Sequence, residues 1–406
     1  MELDLIVIGA GPAGAAFSTI LAQNGFSVTV IEKSQFPRFS IGESLLPQCM
    51  AFLDSAKLLD AIPTDMFQIK KGALFAQGER NAKIDFSQKF SNGPCETWQV
   101  ERSSFDDLLI KKAEDAGVNT LFNSCVEKVF FNEDSVEVLI KRNGETTSLK
   151  ASFIVDASGG SMVLPRLMKK ISKPKLSKVA LFQHFEGESR TSEESENILI
   201  SIHPQNNKIW YWGIPFKNGN ISVGVVTDEE TLASYEGGDK EIFERLYSEE
   251  PQLNRRLRSA KGLNSVQRID GYEASIESTH GDRFLLIGNA AGFIDPIFSS
   301  GITIALKSAV LGTTEVMKIL KGKQPNWQAY DEEMAVGNNT FKAYVDAWYD
   351  SSLQEIILSE NKDPEIQKKI NAILAGYVWD NENSFVREPA RKLKQVSKLI
   401  KGLSVP

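Results

Sequence analysis

Apolar residues along the chain fall into runs of three kinds. Two short unbroken runs end in glycine: Leu3-Asp4-Leu5-Ile6-Val7-Ile8 before Gly9, and Phe284-Leu285-Leu286-Ile287 before Gly288. Runs of this length and composition are those of parallel strands buried on both faces. After the first run, Pro12 to Asn24 predicts a helix stopped by Gly25, and Ser27-Val28-Thr29-Val30-Ile31-Glu32 predicts the next strand. Together they make a βαβ unit. Alternating segments form the second kind. They occupy Phe67 to Phe86, with a turn at Gly78-Glu79-Arg80-Asn81, and the block from about Val179 to Val226, which predicts an antiparallel sheet. Val118 to Phe122, Val126 to Phe131, Ser135 to Lys141 and Glu145 to Phe153 also read as strands.

Helical periodicity is the third kind. Ser103 is placed to cap a helix running to about Ala116, with Phe105, Leu108, Leu109 and Ala113 on its apolar face and Gly117 after it. Beyond Ile302 the pattern is largely helical. Neither an internal repeat nor a low-complexity linker separates these regions, so the domains are interleaved and not strung in series.

Composition narrows the function classes. The 406 residues are 42% hydrophobic and 24% charged, enough for two or three packed units. A net charge of −7 leaves no basic stripe to neutralise phosphates, which excludes nucleic acid as a partner. The basic tail (Arg387, Arg391, Lys392, Lys394, Lys398 and Lys401) reads as a solvated helix face or as a dock for an acidic carrier protein. Cys49, Cys95 and Cys125 show neither metal spacing nor an even count, which fits a reducing compartment. With His184, His203 and His280 scattered, no metal site is expected. No signal peptide precedes Leu3, and no apolar run has membrane-spanning length. The expectation is a cytoplasmic protein without stable membrane insertion.

The candidate chemistry starts at Gly9-Ala10-Gly11-Pro12-Ala13-Gly14. Gly9 allows a tight turn, Gly11 lets backbone approach a pyrophosphate, and Gly14 permits close helix–sheet packing. Pro12 and Ala13 open the helix, and Glu32, followed by Lys33, ends the next strand, where a carboxylate can accept from ribose hydroxyls. The plainer reading is a structural glycine turn. A second glycine-punctuated turn runs from Gly288-Asn289-Ala290-Ala291-Gly292 through Phe293-Ile294-Asp295-Pro296-Ile297-Phe298-Ser299-Ser300-Gly301-Ile302 into a helix. Its free amides and positive dipole end suit an anion or a flavin carbonyl.

These motifs resemble the FAD monooxygenase and geranylgeranyl reductase superfamily. The resemblance implies an α/β fold: a Rossmann-like FAD-binding domain interleaved with an antiparallel-sheet substrate domain, then a helical C-terminal region. The expected spans are 1–170 for the FAD domain with inserted strands near 67–90, 171–275 for the substrate domain, 276–315 for the return, and 316–406 for the helices. Arg102, after Trp98-Gln99-Val100-Glu101, would pair with the cofactor; the plainer reading is a surface ion pair. Asp156-Ala157-Ser158-Gly159 resembles the superfamily's second short motif. Gly288-Asn289 resembles its Gly-Asp motif, with Asn289 replacing the ribityl-binding aspartate and implying weaker FAD retention.

Within that superfamily the chain is similar to the flavin-dependent halogenases. Phe36-Pro37-Arg38-Phe39-Ser40-Ile41-Gly42-Glu43-Ser44-Leu45-Leu46-Pro47 resembles their flavin-contacting loop, which implies Arg38, Ile41 and Gly42 as cofactor contacts. Trp210-Tyr211-Trp212-Gly213-Ile214-Pro215 matches Trp-x-Trp-x-Ile-Pro, and Phe293, Pro296, Ser299 and Gly301 match Phe-x-x-Pro-x-x-Ser-x-Gly. Lys70-Lys71-Gly72-Ala73 resembles the segment of the essential lysine, with Lys70 preferred and Lys71, on the opposite strand face, as the fallback.

The resemblance implies FAD supplied as FADH2 by a separate flavin reductase, dioxygen, halide, and a flavin hydroperoxide as the oxidant. Lys70 would hold hypohalous acid. Ser300, Gly301 and Ile302 at the helix start, with Asn289 and Ala290, would line the flavin and halide site. Trp210 and Trp212 would wall the chamber. The plainer readings are a solvated lysine and half-buried strand tryptophans. Free-tryptophan halogenases carry a glutamate where this chain has Phe298, so an electron-rich phenol, a pyrrole or a carrier-protein-tethered aryl group is expected. Tyr344, Trp348, Tyr349, Tyr377 and Trp379 would cap its pocket or simply form helix core. A flavin hydroxylase or epoxidase, a prenyl-type reductase and a non-catalytic flavin-binding scaffold stand as alternatives.

Overall fold

The computed structural model describes residues 3–172, 178–270 and 275–403. Leu3–Ile8 lies at the centre of a parallel sheet, between Val28–Ile31 and Glu145–Asp156, in the register Leu5↔Val28 and Leu5↔Phe153. Asn119–Leu121 and Phe284–Leu286 flank these strands, also in parallel. Successive side chains alternate across the sheet. Leu5 and Val7 pack on one face with Phe17, Phe105, Leu109 and Leu306, from the helices Pro12–Gln23, Arg102–Asp115 and Gly301–Leu320. Ile6 and Ile8 pack on the other with Val136, Val138 and Ile140 of the strand Val136–Arg142. Burial on both faces is why this strand reads as continuously apolar. Each fully buried aliphatic side chain contributes about 1.5–3 kcal/mol.

One helix start differs from expectation. The helix begins at Arg102, not after Ser103, and Glu101 occupies the cap position without a side-chain cap. Arg102 lies inside the helix because its guanidinium reaches Asp106 one turn on.

The second sheet is ordered Lys261–Gly262, Lys178–Glu186, Ile221–Asp228, Asn206–Pro215, Asn197–His203, Gly72–Gln77, Arg80–Asp85. The hairpin Gly72–Gln77/Arg80–Asp85, expected as an insertion in the nucleotide domain, is thus part of this sheet. Gly72–Gln77 runs parallel to Asn197–His203, so the sheet is mixed. The physical reason is shared burial: Ala73 and Phe75 form one apolar cluster with Ile198, Ile200, Trp210 and Trp212. Only Gln68–Lys70 stays outside, in a two-stranded ribbon with Thr97–Gln99. The chain crosses from ribbon to sheet at Lys70–Lys71–Gly72.

Period two also assigns the faces of this sheet. Phe75, Ile200 and Trp210 meet the C-terminal helices through Phe341, Tyr344 and Trp348 of the helix Trp327–Tyr349. Leu199, Tyr211 and Val223 meet the helices Asp239–Glu249 and Pro251–Leu257 through Phe243, Leu246 and Leu253. No helix among the described residues is long and apolar enough to cross a membrane.

The glycine turn generates the first prediction. A Cβ on Gly14 would stand 2.0 Å from the Gly9 carbonyl oxygen, whereas one on Gly160 meets nothing within 4 Å. Gly14→Ala is expected to lower unfolding free energy by about 1–3 kcal/mol, and Gly160→Ala by much less, as read by urea unfolding. Equal effects would contradict the packing described.

Candidate functional site

The first glycine loop forms a cradle with one open side. Gly9 has φ +98°, and a Cβ there would strike the Ala157 carbonyl oxygen at 2.7 Å. Gly11 is extended at the helix cap, with Pro12 next, and a Cβ on it would meet only the Arg38 guanidinium, at 3.7 Å. The loop is therefore closed towards Ala157 and open at Gly11, where the first-turn amides of Ala13 and Gly14 begin the helix. Glu32 is buried and accepts from the backbone amides of Ala10 and Ser34, both at 2.9 Å. Lys33 is exposed and donates to Ser161 Oγ at 3.0 Å. This open cradle and fixed carboxylate suit the adenosine and pyrophosphate end of FAD.

The expected cofactor arginines have intramolecular work. Arg102 donates through Nε and Nη2 to Asp106 at 2.8 and 2.9 Å, and through Nη1 to the Ile41 and Gly42 carbonyls at 2.6 and 3.3 Å. Arg38 donates to the same Asp106 at 3.1 Å and lies 4.5 Å above the Phe36 ring. The plainer expectation of a surface pair for Arg102 fails, because it is 8% exposed and Asp106 is fully buried. Its chemistry is to clamp the Ile41–Gly42 loop. Asp156 behaves similarly: its carboxylate accepts from Ser158 and Leu164 amides at 2.8 and 2.7 Å and so shapes its own turn. Asp106 was legible only as a helix neighbour four residues after Arg102.

The two glycine loops meet. A Cβ on Gly288 would lie 3.4 Å from the Ala13 Cβ and 3.2 Å from that of Ala305. The Gly288 amide donates to Ser308 Oγ at 2.9 Å. Ala290 is buried, and half-buried Asn289 places its Oδ1 4.0 Å from the Cβ position of Gly301. Ser299 has φ +58°, Ser300 is 1% exposed at the cap, and Gly301 and Ile302 start a 20-residue helix. Asn289 thus stands beside the start of this helix, whose first-turn amides suit an uncharged ring carbonyl or a small anion.

Lys70 is 1% exposed. Its Nζ donates to Ser44 Oγ and the Leu45 carbonyl, both at 2.8 Å, and lies 5.5 Å from the Phe86 ring centroid. Neither acceptor is a carboxylate. Burial therefore lowers the amine pKa to about 7, with only weak opposition from nearby Cys49. Burial in turn raises the Cys49 thiol, which contacts Thr303 Oγ1 at 3.0 Å. Lys70 borders a cavity of about 20 Å³ walled by Leu46, Phe75, Phe86, Ile297, Phe298 and Ser299, which is room for about one water-sized molecule. Lys71, the fallback, is exposed and pairs with Glu196 at 2.6 Å. It has no access to the cavity.

Trp210 and Trp212 are braces. Both are buried, at 2% and 7% exposure. Trp210 Nε1 donates to Tyr349 Oη at 3.1 Å, which donates to Asp295 Oδ2 at 2.7 Å in the Phe-x-x-Pro loop. Trp212 donates to Ser222 Oγ at 3.1 Å and lies over Gly224, where a Cβ would approach its ring to 2.1 Å. Neither presents a reactive atom. Sequence reasoning missed this relay and also the meeting of His184 with Glu43. That pair stands at 2.8 Å, out of hydrogen-bond alignment, and Phe39 and Phe216 pack edge-on against the imidazole. Its members are remote in sequence, and only the Glu43 loop had been marked.

The lysine makes stability pH-dependent. Between pH 7 and 10.5 the folded protein releases the Lys70 proton while the unfolded chain keeps it. Stability from this residue therefore rises with pH in that window. Compared with Lys70→Met, wild type should gain on the order of a few kcal/mol from pH 6.5 to 9.5 in urea unfolding. A pH-independent difference would contradict the buried, weakly basic amine.

A family model described as an FAD binding domain matches residues 2–336. The 1H-pyrrole-2-carbonyl-[peptidyl-carrier protein] chlorinase of Pseudomonas fluorescens is 27% identical, over 97% of this chain and 93% of its own. Flavin-dependent halogenase armH3 of Armillaria mellea is 32% identical, over 79% of this chain and 68% of its own. The crystal structure of a flavoprotein/dehydrogenase from Cytophaga hutchinsonii superposes with a TM-score of 0.95, at 39% identity over 99% of both chains. Motifs, cradle and relatives agree: this chain is an FAD-dependent oxidoreductase and belongs to the flavin-dependent halogenase family.

Proposed function

We propose that this chain halogenates an electron-rich aromatic ring (a phenol, a pyrrole or an acyl-aryl group), with Lys70 as the catalytic residue. The observation that carries the reading is the buried Lys70 amine beside a water-sized apolar cavity. Bound reduced FAD, with dioxygen, supplies the oxidising power that turns halide into hypohalous acid. The chain's own residues do the rest. Gly9 to Gly14 and Glu32 hold the nucleotide end, the Arg102 clamp fixes the Ile41–Gly42 loop, and Asn289 faces the ring end. The Ser300 and Gly301 amides offer the halide site.

Lys70, near neutrality at pH 7, can donate to or accept from hypohalous acid and keep it from water. The apolar walls exclude competing nucleophiles. Phe298, at the wall of that cavity, supplies no base, which fits rings activated by their own oxygen or nitrogen. Carrier attachment is favoured by likeness to the pyrrole-2-carbonyl carrier-protein chlorinase, with reduced flavin delivered by a separate reductase.

A second reading is favoured by the 39% identity to the Cytophaga flavoprotein/dehydrogenase: a flavin reductase or monooxygenase acting without Lys70. The readings separate in one assay with photoreduced FAD, dioxygen, bromide and a phenol and pyrrole panel, read by mass spectrometry. Lys70→Ala should lower brominated product at least about 100-fold, as expected for a general acid–base group, with FAD binding retained. Lys71→Ala should stay near wild type. Oxygenated product insensitive to bromide and to Lys70→Ala, or turnover without dioxygen, would sink the halogenase proposal.

A further inference from the structure

Two buried donors on side chains that pack against Phe298 have no hydrogen-bond partner among the described residues. Tyr344 and Trp348 are both 0% exposed, and neither Tyr344 Oη nor Trp348 Nε1 makes a hydrogen bond. Leaving a buried donor unpaired carries the full desolvation penalty of the group, so each such case calls for a cause. The neighbouring residues of the same types are satisfied. Trp210 reaches Tyr349, Trp212 reaches Ser222, Trp379 reaches the Glu333 carbonyl, Tyr211 the Leu246 carbonyl and Tyr377 the Pro94 carbonyl. Other buried polar atoms, such as Gln99 Nε2 and Ser201 Oγ, also lack partners, but among the described tyrosines and tryptophans the fully buried unpaired donors are these two.

The pair has a defined position. Four residues apart on the Trp327–Tyr349 helix, the two side chains share a face. Both meet Phe298 edge-on at 88°, with ring centroids 6.3 Å away for Tyr344 and 5.9 Å for Trp348. Phe298, and Phe75 in contact with Trp348 at 5.9 Å, are also walls of the Lys70 cavity. Phe298 therefore touches both the Tyr344 and Trp348 rings and the space beside Lys70. That cavity, about 20 Å³, holds a water-sized molecule and no aromatic ring. An aromatic ring needs more room than this, and a ring that took the place of Phe298 would come against the Tyr344 and Trp348 side chains.

We propose that Tyr344 Oη and Trp348 Nε1 are substrate-positioning donors that hold an acceptor oxygen carried by the aromatic substrate, a carbonyl or a phenolic oxygen, while its ring faces Lys70. Their unpaired state in the free protein is the cost of keeping two donors available for that oxygen. Burial alone holds the Tyr344 hydroxyl protonated well beyond the ordinary phenol range, so it remains a donor at any working pH. The selectivity follows from chemistry: a site with buried donors rejects a ring that lacks the acceptor. The assignment rests on the aryl-substrate reading above for the role of the Lys70 chamber.

The test uses FAD-loaded protein and three probes: pyrrole-2-carboxamide with a carbonyl oxygen, phenol with a hydroxyl oxygen, and 2-methylpyrrole with neither. Isothermal titration reads binding, and thermal unfolding of the same samples reads integrity. Wild type should bind at least one oxygen-bearing probe more tightly than 2-methylpyrrole, and whichever probe is favoured identifies the oxygen. Tyr344→Phe should weaken that probe about tenfold, the worth of one buried hydrogen bond. It should leave 2-methylpyrrole unchanged and the unfolding temperature unchanged or higher, since an unpaired hydroxyl is removed. Trp348→Phe should act in the same direction on the same probe. Equal affinity of wild type for all three probes, or undiminished affinity in Tyr344→Phe, would overturn the assignment. Oxygen-dependent binding through Tyr344 without any bromination would keep it and sink the halogenase reading. Bromination indifferent to Tyr344→Phe would do the reverse.

Discussion

Lys70 carries its nitrogen to a place where solvent cannot stabilise a charge, and the acceptors that meet it there are both uncharged. Ser44 Oγ and the Leu45 carbonyl, at 2.8 Å, belong to the loop that leaves the nucleotide sheet. A buried ammonium without a carboxylate is expensive, and the outcome is an amine poised near neutrality. The same loop is held upstream, where Arg102 grips the Ile41 and Gly42 carbonyls and is itself fixed by Asp106. A continuous chain of contacts therefore runs from a buried helix carboxylate to the Lys70 chamber. The catalytic proposal depends on this chain, since a solvated Lys70 would be an ordinary protonated surface amine.

The interleaved fold is what allows the arrangement. The Gln68–Lys70 ribbon belongs to neither large sheet, and Gly72 begins the second sheet immediately after it. The far wall comes from the Phe-x-x-Pro loop, returned by the chain after the second sheet is complete. That loop is braced in turn, since Tyr349 joins Trp210 to Asp295. The tryptophan motif thus acts on the chamber through geometry. Contact of Gly288 with Ala13 brings the two glycine loops into one site.

Legibility in the sequence followed the range of the interactions. Leu3–Ile8, the Pro12–Gln23 helix and the Ser124–Phe131 and Val136–Arg142 strands were readable because their periodicity and glycine stops are local. The partner of Gly72–Gln77 was not, because its parallel pairing with Asn197–His203 depends on burial shared across the molecule. The start of the Arg102 helix was misjudged because a plausible serine cap was outweighed by an ion pair within the helix. That Lys70 and Lys71 face opposite ways was readable from strand alternation. What alternation could not give was the difference between a buried amine and a surface pair with Glu196. The tasks of Arg102 and Asp156 were equally hidden, since motif likeness says nothing about which intramolecular groups occupy a side chain.

The account stands on the ionisation of a single amine. Selective isotope labelling of lysine side chains, with Lys70 assigned through the Lys70→Met variant, allows its Nζ to be titrated directly by NMR in the folded protein. The structure predicts a midpoint at about pH 7. A midpoint at the ordinary lysine value, about 10.4, would mean that water reaches the nitrogen and that the chamber described here does not protect it.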